Sequence, residues 1–323
     1  DWGIVSTLNT SGLSSLATGV SAFVTGQNLS LSDLPDSVLN TSGTFGANQW
    51  MGHSWAETYT SQTDLRSAGT ISDAYSLNGS SRAKALQDGS QYGFDAGVYN
   101  IGGSGMNLRA GILAGSTDGK SRDSELFGAV TTYDVPHYGY YVILNSAGLR
   151  LSVQNRHDLL RLKVSNPVLS LSGAALKGRG DTLSATVAGL NTLGRYVVEP
   201  SAGYVESLID LDALALPNGM GSVEVARLKS QAYHAGIKVS TTFSGRHVLW
   251  QPYGELSGWK ETAADTQTAY RPGSDSAPVW IGGQRLDTFA QASIGVAAQM
   301  RSHPDLTGFL KANAHSGDRL ESW

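Results

Sequence analysis

The 323-residue sequence contains no cysteine, only 9 prolines and little charge. Without cysteine there is no disulfide framework, no thiolate metal site, no iron–sulfur cluster and no thiol nucleophile. The few prolines exclude collagen-like and proline-rich linker readings. Charged residues make up 15% of the chain, against about 25% in an ordinary soluble domain. A net charge of −4 leaves no basic footprint for nucleic acid. No apolar run approaches the ~18 residues that a membrane-crossing helix needs. That absence leaves transmembrane β-barrels open, because each barrel strand crosses with about 9–11 alternating residues and its hydropathy averages out. The mean hydropathy of −0.16 and the 39 glycines fit such a barrel. They also fit a secreted β-solenoid or β-sandwich. The chain begins at Asp1 with no recognisable signal peptide, as expected of a mature product or a fragment.

What is present changes character near residue 45. Before it, Leu13, Leu16, Ala17, Val20, Phe23 and Val24 recur at helical spacing, with Thr10 or Ser11 as a cap. The spacing predicts an amphipathic helix over about 11–25, and a second short helix over 31–40 broken near Pro35. The polar face of the first is Ser, Thr and Gly. Gly12, Gly19 and Gly26 each weaken an isolated helix by about 1 kcal/mol, so the helix is expected to form only inside a surrounding structure. A plain helix packed on a core is the alternative.

From Trp50 onward the period is two. Tyr233, Ala235, Ile237 and Val239 alternate with His234, Gly236 and Lys238, and Ala290, Ala292, Ile294 and Val296 alternate with Gln291, Ser293 and Gly295. One apolar and one polar or Gly face is the signature of strands. Eleven strands are predicted, at 48–60, 90–101, 105–117, 137–146, 148–164, 181–193, 195–209, 226–243, 246–260, 285–300 and 306–316. Short turns such as 102–105, 147–148 and 244–246 alternate with long polar connections at 61–89, 118–136 and 261–284, the asymmetry of outer-membrane barrels. Aromatic residues near strand ends, Trp50, Trp55, Tyr140, Trp250 and Trp259 among them, are expected at the membrane interfaces. The alternative is aromatics capping a soluble sandwich.

Catalytic signals are weak. Ala114 to Ser121 loosely resembles a phosphate-binding loop, but no helix follows Lys120-Ser121, and a polar hairpin loop is the simpler reading. Arg179-Gly180-Asp181 is a common triplet between two predicted strands. The seven histidines lack metal-ligand spacing, no serine-hydrolase elbow exists, and Asp210 and Asp212 read as a solvated strand end. No cofactor, metal or catalytic residue is expected.

The order of segments resembles the C-terminal translocator barrel of autotransporters, the type V secretion proteins. Gly93-Phe94-Asp95-Ala96-Gly97 followed by Leu108 to Gly115 is similar to that family's second and third strands. Val198-Glu199-Pro200-Ser201-Ala202 and Gln251-Pro252-Tyr253-Gly254-Glu255-Leu256 resemble two later strands. Asn313 to Trp323 resembles the stretch before the last strand. The resemblance covers about residues 45–323. It implies an all-β, antiparallel transmembrane barrel of about twelve strands over 46–323, with residues 1–45 as a linker whose helix threads the lumen. Leu13, Leu16, Val20 and Phe23 belong to that helix. Arg109, Arg150, Glu199, Lys238 and Glu255 are the lumen-facing charges expected near it from strand parity; for the two glutamates the alternative is an ordinary solvated pore residue. The implied activity is anchoring and export of an N-terminal passenger in the Gram-negative outer membrane. The implied partners are that passenger, outer-membrane lipids, the barrel-assembly machinery and periplasmic chaperones. A passive porin-like channel and a soluble β-rich adhesin module are the competing readings. The family's last strand is expected to lie beyond Trp323, because eleven hairpin-linked strands leave an edge that a bilayer does not tolerate.

Overall fold

The computed structural model describes residues 18–25, 45–71, 78–123, 129–146, 148–262, 266–271, 279–283, 287–302 and 307–323. The predicted helix at 31–40 lies outside these residues, as do Leu13 and Leu16.

The wall consists of β1 (Gln49–Ile71), β2 (Asn78–Tyr99), β3 (Asn107–Asp123), β4 (Val130–Ser146), β5 (Leu149–Asn166) and β6 (Leu171–Gly189). It continues through β7 (Tyr196–Leu211), β8 (Leu228–Thr241), β9 (Val248–Glu261), β10 (Thr288–Met300), β11 (Thr307–Gly317) and β12 (Leu320–Ser322). Each strand pairs antiparallel with its sequence neighbour, from Trp50↔Val98 between β1 and β2 to Val296↔Leu310 between β10 and β11. The ring closes through β12. His315 and Ser316 of β11 face Ser322 and Glu321, and Thr63, Asp64 and Leu65 of β1 face Ser322, Glu321 and Leu320. Backbone hydrogen bonds between Trp323 and Gln62 extend this seam. The twelfth strand therefore begins within the chain, which corrects the expectation that it lies wholly beyond Trp323. The Ser322–Thr63 side-chain pair and the buried Leu320 fix its register.

Alternation holds around the wall. Along β3, Arg109, Leu113, Thr117 and Ser121 are buried while Leu108, Ile112 and Lys120 are exposed. On the outside lie Tyr92, Phe94, Ile112, Tyr140, Ile237, Leu256, Ile294 and Leu310; Ile294 is 70% exposed and Leu310 74%. An antiparallel sheet in water normally turns apolar residues to a core and polar ones to solvent. Here the order is inverted, as lipid outside and a polar lumen require.

One rim carries short turns. Gly148, at φ 83°, completes the tight link between β4 and β5, a conformation that glycine adopts without steric cost. The other rim differs from expectation. Residues 61–71 and 78–89 are strand, continuing the β1–β2 ladder to Thr70↔Asn78, and β3 and β4 likewise take up 118–123 and 130–136 of the loop expected at 118–136. These extensions are mostly polar on the outside and turn Leu65, Ala83, Ala85, Tyr133 and Val135 inward, a sparse apolar pattern that reads as a loop in the sequence. The loosely phosphate-loop-like segment is thus part of β3, and Arg179-Gly180-Asp181 lies inside β6. Short strands within the long connections form a further ladder. Leu214–Ala215 pairs with 222–223, 222–225 with 268–271, 266–270 with 279–283, and 281–283 returns to β1 at 69–71.

Candidate functional site: the barrel lumen

The inward-facing residues fall into two zones. Toward the short-turn rim the lumen is polar and charged. Asp95 of β2, whose side chain is inaccessible, accepts from Arg109 Nε at 3.1 Å and Nη2 at 2.7 Å. The Tyr141 hydroxyl also donates to Asp95, at 2.7 Å, and itself accepts from the Trp55 indole N–H at 2.7 Å. His53 Nδ1 lies 3.1 Å from the same carboxylate. Four side chains from β1, β3 and β4 are thus tied, directly or through Tyr141, to one buried charge on β2. Across the lumen, Glu199 of β7 meets Arg150 Nη1 of β5 at 3.2 Å and Lys238 Nζ of β8 at 3.0 Å. Glu255 of β9 lies 4.0 Å from Lys311 Nζ of β11. Arg156, fully buried, pairs with Asp158. Such pairs keep charged groups satisfied where a plug or wall displaces water. Arg109, Arg150, Glu199, Lys238 and Glu255 all point inward. Asp95, Arg156, Asp158 and Lys311 were missed as lumen charges, although strand parity was available for each.

Toward the long-connection rim the lumen becomes apolar. Residues 18–25 form a helix inside the barrel, with Val20 and Phe23 wholly buried. Phe23 stacks on Tyr133 with ring centroids 4.4 Å apart. Val20, Phe23 and Val24 share one cluster with Tyr133, Val135, Leu160 and Leu162 of the wall. Leu169, Leu214, Leu216, Val223 and Val225, from the connections at this rim, complete it. Ala22 packs on the other side against Leu65, Ala83, Ala85, Trp259 and Phe289. Two polar anchors fix the helix: the Tyr133 hydroxyl donates to the Gly19 carbonyl at 2.8 Å, and Gln87 Nε2 donates to the Phe23 carbonyl at 2.9 Å. Gly19 is a close approach, since a Cβ there would lie 2.7 Å from Ser121 Oγ. The helix therefore seats in an apolar collar as well as in the polar lumen that its Ser/Thr/Gly face suggested. Phe45, by contrast, sits at the short-turn rim, where its carbonyl accepts from Asn100 Nδ2 at 2.9 Å.

Of the aromatic residues expected at the interfaces, Trp50, Tyr140 and Trp250 are exposed on the outer face. Trp55 and Trp259 are corrections: both face inward. Trp55 lies over Gly93, directly opposite in the β1–β2 ladder, where a Cβ would sit 2.2 Å from the indole. Trp259 is 3% exposed, stacks on His234 at 4.3 Å and donates to Gln291 Oε1 at 2.9 Å. The reason is parity: Trp55 lies five positions after Trp50 and Trp259 nine after Trp250, odd steps along one strand, so each pair must straddle the wall.

No group of three or more His, Asp or Glu among the described residues is placed to hold a metal ion. No family model and no curated protein matches the sequence. Solved structures do match. The β-domain of the Bordetella autotransporter BrkA shares 16% identity at a TM-score of 0.59, over 84% of this chain and 96% of that one. The transport unit of AIDA-I from Escherichia coli shares 15% at 0.56, over 94% and 96%. The translocator domain of NalP from Neisseria meningitidis shares 12% at 0.53, over 98% and 96%. At these identities the likeness concerns architecture, and it is consistent across three proteins and nearly the whole chain. The chain has the fold of the autotransporter translocator domain: a closed, antiparallel twelve-strand β-barrel with a short helix at its N-terminal side.

Proposed function

We propose that this chain is the outer-membrane anchor and translocator of a type V secretion protein in a Gram-negative bacterium. The observation that carries the reading is the placement of the N-terminal segment. The helix at 18–25 lies in the lumen among residues of the long-connection rim, and Phe45 lies at the opposite, short-turn rim. The two described parts of the N-terminal segment thus lie toward opposite ends of the lumen. A passenger joined ahead of residue 1 would emerge at the long-connection mouth. On this reading residues 1–45 are the linker and 46–323 the membrane domain.

The mechanism is physical and involves no bond chemistry. Outward apolar side chains meet lipid, the closed ladder satisfies the backbone within the bilayer, and the polar lumen lets a hydrated segment pass. After passage, the helix fills the lumen and its apolar collar seals the outer mouth. Outer-membrane lipids surround the wall. Insertion requires the barrel-assembly machinery, with periplasmic chaperones holding the unfolded chain beforehand. An open porin is disfavoured by the seated helix, and a soluble adhesin module by the outward apolar residues.

The test is a protease-cleavable epitope fused ahead of residue 1, with the protein expressed in a Gram-negative host. External protease should remove the epitope from intact cells while the barrel stays in the membrane fraction with heat-modifiable gel mobility. An epitope retained in the periplasm, with the barrel correctly inserted, would overturn the translocator reading.

A further inference from the structure

The outer face carries one feature that insertion into lipid does not explain. On β5 the outward column runs Leu149, Leu151 and Val153, all exposed, then the half-buried Asn155 and His157, then the exposed Leu159, Arg161 and Lys163. On β6 the column Val187 and Leu183 is followed by Asp181, Arg179 and Lys177. The register brings the two basic pairs together. Arg161 stands directly opposite Lys177, and Lys163 stands opposite Ala175, diagonal to Lys177. Directly opposed side chains in an antiparallel pair sit about 5 Å apart, where like charges destabilise the sheet.

Neighbouring carboxylates only partly balance this quartet. Asp134 of β4 reaches Arg161 at 3.5 Å. Asp210 of β7 faces Arg179 in the ladder but is engaged by Arg227, at 2.6 and 2.8 Å. Asp181 bonds to His157. Lys163 and Lys177 make no ion pair among the described residues. Lys120 of β3 lies in the same row as Lys163, through Thr132 of β4. By contrast, on the β1–β2 face Asp64 binds Arg82 in a two-pronged pair, at 2.6 to 3.2 Å, and faces Lys84 directly.

Height decides the ligand. Arg161 is twelve residues from Leu149 along β5. At about 3.3 Å per residue and the usual strand tilt this spans roughly 30 Å along the membrane normal, about one hydrocarbon thickness. The quartet thus begins just past Leu159, the last outward apolar residue of β5 before Arg161, on the long-connection side.

We infer that Arg161, Lys163, Lys177 and Arg179 form a binding site for the phosphate of a membrane lipid, whose acyl chains lie against Leu159 and, beyond the His157–Asp181 pair, against Leu183, Val153 and Val187. This rests on the membrane-spanning reading above. Phosphate between Lys163 and Lys177 removes the like-charge repulsion, and the apolar column commits the site to a lipid rather than a free anion.

The experiment uses the full chain in neutral detergent, titrated with dioleoyl phosphatidic acid, with dioleoylglycerol, or with inorganic phosphate, and read by native mass spectrometry. Phosphatidic acid should bind and dioleoylglycerol should not. Replacing both lysines (K163Q with K177Q) should weaken phosphatidic acid binding on the order of tenfold, whereas K84Q should leave it unchanged. Heat-modifiable mobility should be retained by both variants. Equal binding by the double variant and the unaltered chain would overturn the site. Equally strong binding of inorganic phosphate would overturn its assignment to lipid. If the unaltered chain showed no heat-modifiable mobility, the barrel reading itself would fail.

Discussion

The Tyr133 hydroxyl on β4 donates to the Gly19 carbonyl on the lumen helix at 2.8 Å, and the same hydroxyl bonds Ser121 on β3. A single phenol thereby joins the helix to two wall strands inside a region otherwise closed by apolar packing. The helix is held by fit as much as by hydrogen bonds, and both components can be removed separately.

Fit is tested at Gly19. A methyl group there meets Ser121 Oγ at 2.7 Å. Gly19→Leu should unseat the helix, at a cost of about 1–3 kcal/mol from overpacking. In planar bilayers the variant should conduct in bursts, approaching the larger steady conductance of a form lacking residues 1–45. Conductance equal to that of the unaltered protein would show that the helix does not govern the pore.

Hydrogen bonding is tested at Gln87. Gln87→Leu leaves the buried Phe23 carbonyl without its donor, a loss of about 1–3 kcal/mol. Protease added from the long-connection side should then cut the linker faster, while the thermal transition of the barrel wall changes little. Unchanged cleavage kinetics would mean that the apolar collar alone retains the helix.

The buried charge cluster makes a prediction about the wall. Asp95→Asn leaves Arg109 buried and without its counter-charge, so unfolding in detergent should be easier by about 3–5 kcal/mol. Tyr141→Phe, which removes one donor to that carboxylate and the acceptor of the Trp55 indole, should cost less, about 1.5–3 kcal/mol. Guanidinium unfolding monitored by circular dichroism ranks the two; equal effects would contradict a network centred on the Asp95 charge.

The tryptophans can be sorted by brominated lipids, which quench indoles in contact with acyl chains. Trp50→Phe should remove a quenchable component of the fluorescence, because Trp50 is 73% exposed on the outer face. Trp55→Phe should remove only emission that these lipids do not reach. Quenching of Trp55 to the same degree would place it outside the barrel.

Much of this fold is legible in the chain. Alternation from Trp50 onward assigns the outward and inward faces, and it places Arg109, Arg150, Glu199, Lys238 and Glu255 inside without any coordinates. The same rule, applied to Trp55 and Trp259, would have turned them inward. Grouping aromatics by nearness along the chain concealed that, because neighbours in sequence occupy opposite faces of a strand. Polar segments such as 61–71 and 78–89 are different. Their few inward apolar residues, Leu65, Ala83 and Ala85, are small or isolated among polar neighbours, and the β1–β2 ladder between the two segments keeps them extended.

The sequence by itself determined most of the strand content of this protein and which face each strand residue takes. Scarce charge, absent cysteine, abundant glycine and period-two alternation permit a lipid-facing barrel, since the side-chain period of a strand is a local property. Tertiary structure alone decided which residues meet. The Trp55–Tyr141–Asp95–Arg109 chain of contacts, the seam between β12 and β1, the apolar collar around Phe23 and the opposition of Arg161 to Lys177 all join residues distant in sequence or on different strands. Register and closure set those meetings, and both belong to the ring of strands as a whole.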